Sequence, residues 1–161
     1  LRILFSLYLI YMPLSLQAAS PNPDEKPSCP RIISQSPYIS DMLDYLGLGH
    51  CIVGVSRYSK RDLPHTGGIH DPDAEAINAL RPDLIITSNW TKVKTLKKVT
   101  PQGAKTLRLK SFNAMPQLEE NMHQIIQATG WKYVTEKVKH FAKAWRNKTK
   151  QVKGNKKKVA K

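Results

Sequence analysis

Four short apolar runs, Arg31–Ser34, Ile52–Val55, Asp83–Thr87 and Lys105–Leu109, are separated by stretches whose apolar residues recur at every third or fourth position. Continuous Ile, Val and Leu runs suit strands that are buried on both faces. Such strands occur in parallel sheets whose crossover helices cover both sides. The pattern therefore predicts an α/β, doubly wound, mainly parallel sheet lobe. At 161 residues there is material for one compact domain and not for two.

The intervening stretches read as helices. Ile39, Met42, Leu43 and Leu46 place one apolar stripe along Pro37–Leu48, and Gly47 and Gly49 end it. A second helix is expected over Pro72–Leu80, with Asp71 as N-cap, Pro72 at its first position and Glu75 in its first turn. Lys92–Val99 is a short basic helix. Beyond the fourth strand the chain is purely helical. Met115, Leu118, Met122, Ile125 and Ile126 form one stripe up to Gly130, and Val134, Val138, Phe141 and Trp145 form another.

The amino terminus does not belong to this pattern. Residues 1–20 carry one charge, Arg2, then an apolar run from Ile3 to Ile10 and small residues at Ala18, Ala19 and Ser20, the order of a secretory signal. Residues 21–28 are a polar, Pro-rich leader. Lys26, Pro27 and Ser28 before Cys29 argue against a lipid anchor and for a soluble exported protein that does not span a membrane once mature.

A formal net charge of +14 invites a nucleic-acid reading, and its distribution argues against one. Residues 21–90 hold 6 basic and 9 acidic side chains, whereas residues 91–161 hold 19 and 3. Lysines confined to the solvent faces of late helices do not make a groove-reading surface on the folded core. Catalytic signatures are also missing: the chain has no G-x-S-x-G, H-E-x-x-H or G-x-x-x-x-G-K segment. No enzymatic role and no cofactor is expected.

Five ordered segments carry a resemblance. Arg31-Ile-Ile-Ser-Gln-Ser-Pro37, Leu46-Gly-Leu-Gly49, Ile52-Val-Gly-Val-Ser56, Gly67-Gly-Ile-His-Asp-Pro72 and Ala76-Ile-Asn-Ala-Leu-Arg-Pro-Asp-Leu-Ile-Ile86 follow one another at family-like spacing. Together they resemble the N-terminal lobe of periplasmic binding proteins of ABC importers for vitamin B12, haem and ferric siderophores. The resemblance covers residues 29 to about 153. It implies a binding lobe over residues 29–130, a connecting helix over 131–153 and a basic tail over 154–161 that starts a second lobe. Gly154–Val159 has the look of that lobe's opening turn and strand, so the chain is expected to be a truncated form lacking the second lobe. It also implies a periplasmic location, a chelate ligand (ferric siderophore, haem or cobalamin) and a transporter permease as partner.

Ligands of open α/β sheets sit outside the carboxyl ends of the strands. Here those ends hold Tyr38, Tyr58, Ile69, His70, Asn89, Trp90 and Phe112. Flat aromatic faces with a few polar tips suit a large, partly apolar chelate. Tyr58 stands where family members often place an aromatic ligand contact. Ile69 departs from the Trp or Tyr that B12 and haem binders carry after the paired glycines, which leaves the ligand open. The resemblance further implies that Glu75 docks the transporter and that Cys29 and Cys51, each just before a strand, form a disulfide away from the ligand. Two alternatives remain at this point. His65, His70 and Asp71 lie close enough in sequence to suggest a periplasmic Zn or Mn binder, and the basic second half suggests an interaction protein.

Overall fold

The computed structural model describes residues 29–111 and 113–159, the last seven by their backbone alone. The expected signal, the leader and Phe112 lie outside the described residues. Strands β1 (Ile32–Ser34), β2 (Ile52–Val55), β3 (Leu84–Ser88) and β4 (Lys105–Leu109) form one parallel sheet in the order β2-β1-β3-β4. Helices α1 (Pro37–Tyr45), α2 (Ala74–Ala79) and α3 (Val93–Val99) connect them, followed by α4 (Met115–Thr129) and α5 (Thr135–Val159). The fold is thus α/β with flanking helices.

Strand alternation splits the core in two. Ile32, Ile52, Leu84 and Ile86 face α1, α4 and α5, where Leu43, Met122, Ile125 and Val138 meet them. Ile33 and Ile85 face the other way, against Ile77 of α2 and Leu96 and Val99 of α3. Because neighbouring residues on one strand serve opposite cores, neither face can be polar. This is why the runs read as unbroken apolar segments. Fully burying each such Ile stabilises the lobe by roughly 1.5–3 kcal/mol. Lys105, Thr106 and Arg108 are exposed on the edge strand β4, where charge discourages pairing with another chain.

Three expectations are corrected. The first helix stops at Tyr45 rather than Leu48, because Gly47 takes φ +75° and the chain then forms a 3-10 turn over Gly49–Cys51. The second helix is Ala74–Ala79, capped by Asp73, whose carboxylate accepts from Ala76 N at 3.1 Å. Pro72 is taken up in a bridge with Gly67, so Asp71 and Pro72 belong to the loop. Glu75 still occupies the first turn. Finally, no turn or strand begins at Gly154. The helix runs on to Val159, since one Gly costs a helix only about 1 kcal/mol and the surrounding lysines are good helix formers.

Gly130, at φ +72°, ends α4, and the buried Trp131 donates its indole N–H to Leu46 O at 3.1 Å. That bond pins the corner before α5 to the end of α1. Along α5, Val138 and Ala142 are buried, while Trp145 and Val152 are exposed. Cys29 and Cys51 are joined as a disulfide at the amino ends of β1 and β2, with Cα atoms 5.5 Å apart. No helix among the described residues is long and apolar enough to cross a membrane.

Candidate functional site

The connection from β1 leads to β2 on one side, and the chain then returns past β1 to β3 on the other. This reversal puts the candidate site at the carboxyl ends of β1 and β3, where open α/β sheets bind their ligands. Its floor is built from small polar side chains that the fold buries. Gln35 Nε2 donates to Thr66 Oγ1 (2.8 Å) and to Thr66 O (3.2 Å), and Thr66 Oγ1 donates onward to Val55 O (3.0 Å). Thr87 and Thr91 share a hydrogen bond of 2.6 Å, and Thr91 Oγ1 also donates to Ile69 O at 2.8 Å. Ser40 Oγ donates to Ser34 Oγ at 2.8 Å. Buried polar groups that satisfy one another in this way fix the loops above them. Among the described residues, Gln35 Oε1 and Ser56 Oγ are buried without a hydrogen-bond partner, so the floor keeps two polar positions.

The rim is aromatic and basic. Tyr58 and Trp90 are 65% and 63% exposed, large for rings beside a rigid floor. Trp90 is not loose, since its indole N–H donates to Ser111 Oγ and its ring meets the edge of His70 at a centroid distance of 6.4 Å. Tyr58 lies in a turn held by Arg57 N donating to Gly67 O at 2.8 Å. Arg57 Nη2 reaches Asp71 Oδ2 at 2.6 Å and ties this turn to the loop carrying Ile69 and His70. A pocket of about 400 Å³ opens beside Tyr58, lined by Pro37, Ser40, Asp41, Ser59, Lys60 and Arg61. Arg61 is anchored there by Asp44 of α1.

Two glycines make the close approach of these loops possible. Gly67 sits at φ +81°, and a Cβ on it would fall 2.5 Å from Asp71 O and 2.6 Å from Asp73 N. At Gly68 a Cβ would fall 2.6 Å from Asp71 Oδ1 and 3.5 Å from both Arg57 Nε and Tyr58 Cε2.

The residues singled out in the sequence are distributed unevenly over this site. Tyr58, His70 and Trp90 stand on the rim, and Ile69 is half-buried beneath it, its carbonyl tied to Thr91. The carboxamide oxygen of Asn89 accepts from Ser111 N (3.1 Å) and Ser111 Oγ (2.8 Å), which orients the loop after β4. Tyr38 turns its ring toward α4 and α5, beside Met42, Leu118, Met122 and Phe141. Burial raises its phenol above the ordinary value of 10.0, and a hydrogen bond with Ser88 draws it partly back. Glu75 is exposed on α2. His65, His70 and Asp71 do not gather into a metal site, since among the described residues only Cys29, His50 and Cys51 bring three donor atoms within 4.8 Å. Asp71 is committed to Arg57 instead. The Gln35–Thr66 and Thr87–Thr91 bonds and the Arg57–Asp71 pair were not anticipated. Their only signal is the clustering of Ser, Thr and Gln directly after each strand.

No protein-family model matches the chain, and no curated protein matches it in sequence. Solved structures match it in fold. It is similar to the periplasmic haem-binding protein HutB of Vibrio cholerae, at 23% identity and a TM-score of 0.64, covering 74% of this chain and 49% of that one. It is similar to the periplasmic vitamin B12-binding protein BtuF of Vibrio cholerae, at 22% identity and a TM-score of 0.60, covering 78% and 50%. It is also similar to the iron-uptake substrate-binding protein PiuA of Streptococcus pneumoniae, at 27% identity and a TM-score of 0.55, covering 71% and 44%. The chain spans about half the length of the structures it matches.

Proposed function

We propose that this chain, which has the fold of about one half of an ABC transporter substrate-binding protein, presents one wall of a ligand cleft for an importer, without catalysing a reaction. The ligand class is a metal chelate or tetrapyrrole: a ferric siderophore, haem or cobalamin. One observation carries this reading. Tyr58 and Trp90 project from the carboxyl-end rim above a floor of mutually bonded Gln, Ser and Thr side chains. Two exposed rings held by a rigid base gain contact area on a flat ligand and lose little entropy in doing so. Lys60 beside Tyr58 supplies positive charge to the acidic groups that siderophores and haem carry, while Arg57 and Arg61 are paired with Asp71 and Asp44.

The location that goes with this role is the periplasm, and the partner is a transporter permease. Glu75 docks it by pairing with a basic side chain, consistent with its place in an exposed first turn outside the candidate site. A single wall covers one side of a ligand, so this chain by itself binds more weakly than a cleft closed from two sides.

Absorbance titration of the purified protein against haem, cobalamin and a panel of ferric siderophores tests the reading. A saturable spectral change with one class is expected, at micromolar or weaker affinity. Glu75→Ala leaves that titration unchanged and weakens binding to a transporter. Loss of ligand affinity in Glu75→Ala would instead put this residue in the cleft.

A further inference from the structure

The end of the sheet opposite the candidate ligand face carries a second group of chemically versatile side chains. The donor atoms of Cys29, His50 and Cys51 all lie within 4.8 Å of one another. Cys51 Sγ is 3.7 Å from His50 Nε2. With Zn–S of about 2.3 Å and Zn–N of about 2.0 Å, a tetrahedral site separates a sulfur from a nitrogen by about 3.5 Å and two sulfurs by about 3.8 Å. His50 and Cys51 are thus already spaced as adjacent ligands of one cation.

The fold holds this pair in place. Cys51 is buried at the end of the 3-10 turn Gly49–Cys51, and its N–H donates to Leu48 O at 3.0 Å. The His50 ring lies 6.3 Å from that of Trp131, which is itself pinned to Leu46. Cys29, by contrast, is exposed and precedes β1, so its sulfur can turn outward once the bridge opens.

We propose that reduction of the Cys29–Cys51 bridge creates a Cys2His site for a thiophilic cation, Zn2+ or Cu+, with solvent at the fourth position. The reductant is a dithiol. It gives two electrons and two protons to the bridge and becomes a disulfide, while Cys29 and Cys51 become thiols. The cation displaces both thiol protons and takes the neutral His50 imidazole as third ligand. In the oxidised chain the sulfurs are bonded to each other and supply no thiolate. Metal binding at this end is therefore switched by thiol redox state, and the inference does not depend on what the opposite face carries.

The test uses the full chain, reduced with a phosphine under anaerobic conditions and titrated with Co2+ and then Zn2+. One Co2+ per chain is expected, with thiolate charge-transfer absorbance and the visible bands of tetrahedral cobalt, both abolished by Zn2+. His50→Ala should weaken cobalt binding at least about tenfold. The Cys29→Ser/Cys51→Ser double variant should lose the charge-transfer band. If the reduced chain loses its fold, circular dichroism decides: Zn2+ should restore the helical signal in the wild type and not in the double variant. The proposal is overturned if a folded reduced chain gives no 1:1 cobalt spectrum. It is equally overturned if Zn2+ fails to refold an unfolded one, or if His50→Ala binds as tightly as the wild type.

Discussion

The guanidinium of Arg57 lies 2.6 Å from the Asp71 carboxylate and closes a bridge between two loops that also meet where Arg57 N donates to Gly67 O. One loop carries Tyr58 and the other His70. Their relative position is thus held by that backbone bond together with a pair that is about half exposed on each side. Pairs of this kind add little to stability and much more to orientation.

That division of labour predicts different outcomes for two neighbouring aspartates. Asp73→Ala removes the N-cap of α2 and should lower unfolding free energy by about 1 kcal/mol. Asp71→Ala should cost less than about 0.5 kcal/mol, as an exposed ion pair does. Urea denaturation of both variants checks the order; a larger loss in Asp71→Ala would return the cap to that residue.

Gly67 and Gly47 both have positive φ, but only Gly67 is crowded. Gly47→Ala should cost about 1 kcal/mol for its left-handed backbone alone. Gly67→Ala adds a clash with the backbone of Asp71 and Asp73 and should cost more than about 2 kcal/mol. Melting temperatures of the two variants, measured side by side, decide this.

How far these features could be read from the sequence depends on their range. Ile32/Ile33 and Leu84–Ile86 are apolar at consecutive positions, and that alone announces strands buried on both faces. The order of the elements followed from helix-period stripes such as Ile39, Met42 and Leu43. The cap of α2 was misplaced because Asp71-Pro72 and Asp73 are both plausible starts, and only the Gly67–Pro72 bridge, a pairing across a loop, removes Pro72 from the helix. At the site, exposed Tyr58 and Trp90 were legible as aromatics at strand ends. The Gln35–Thr66 bond joins residues 31 positions apart and leaves no periodic trace. Tyr38 packs beside Leu118 and Phe141 while its phenol reaches Ser88 at the end of β3, and its place in the first turn of α1 announces neither contact.

Reducing the Cys29–Cys51 bridge frees a loop with a sequence separation of 22 residues. In the chain-entropy account the bridge contributes about 3 kcal/mol. Denaturation midpoints with and without reductant, in metal-free buffer, should differ accordingly. Equal midpoints would mean that the bridge constrains nothing.

Burial raises the Tyr38 phenol above 10.0, so between that value and the folded one the unfolded chain has released a proton that the native state keeps. Its contribution is complete below pH 10 and declines as pH rises through the folded pKa. Stability should therefore fall above pH 10, and Tyr38→Phe should flatten that decline. Urea titrations at pH 9 and 11, on both proteins, measure it.

The central claim is that the carboxyl-end rim, through Tyr58 and Trp90, is the ligand wall. The direct measurement compares Tyr58→Ala and Trp90→Ala with Tyr133→Ala, an exposed tyrosine packed on Trp131 at the far corner, in titrations with whichever of haem, cobalamin or ferric siderophore the wild type binds. The account predicts that each rim variant weakens binding at least about tenfold, a change of about 1.4 kcal/mol, while Tyr133→Ala binds as the wild type does. Rim variants that bind like the wild type, or a wild-type chain that binds none of the three classes at concentrations up to about 1 mM, would contradict it.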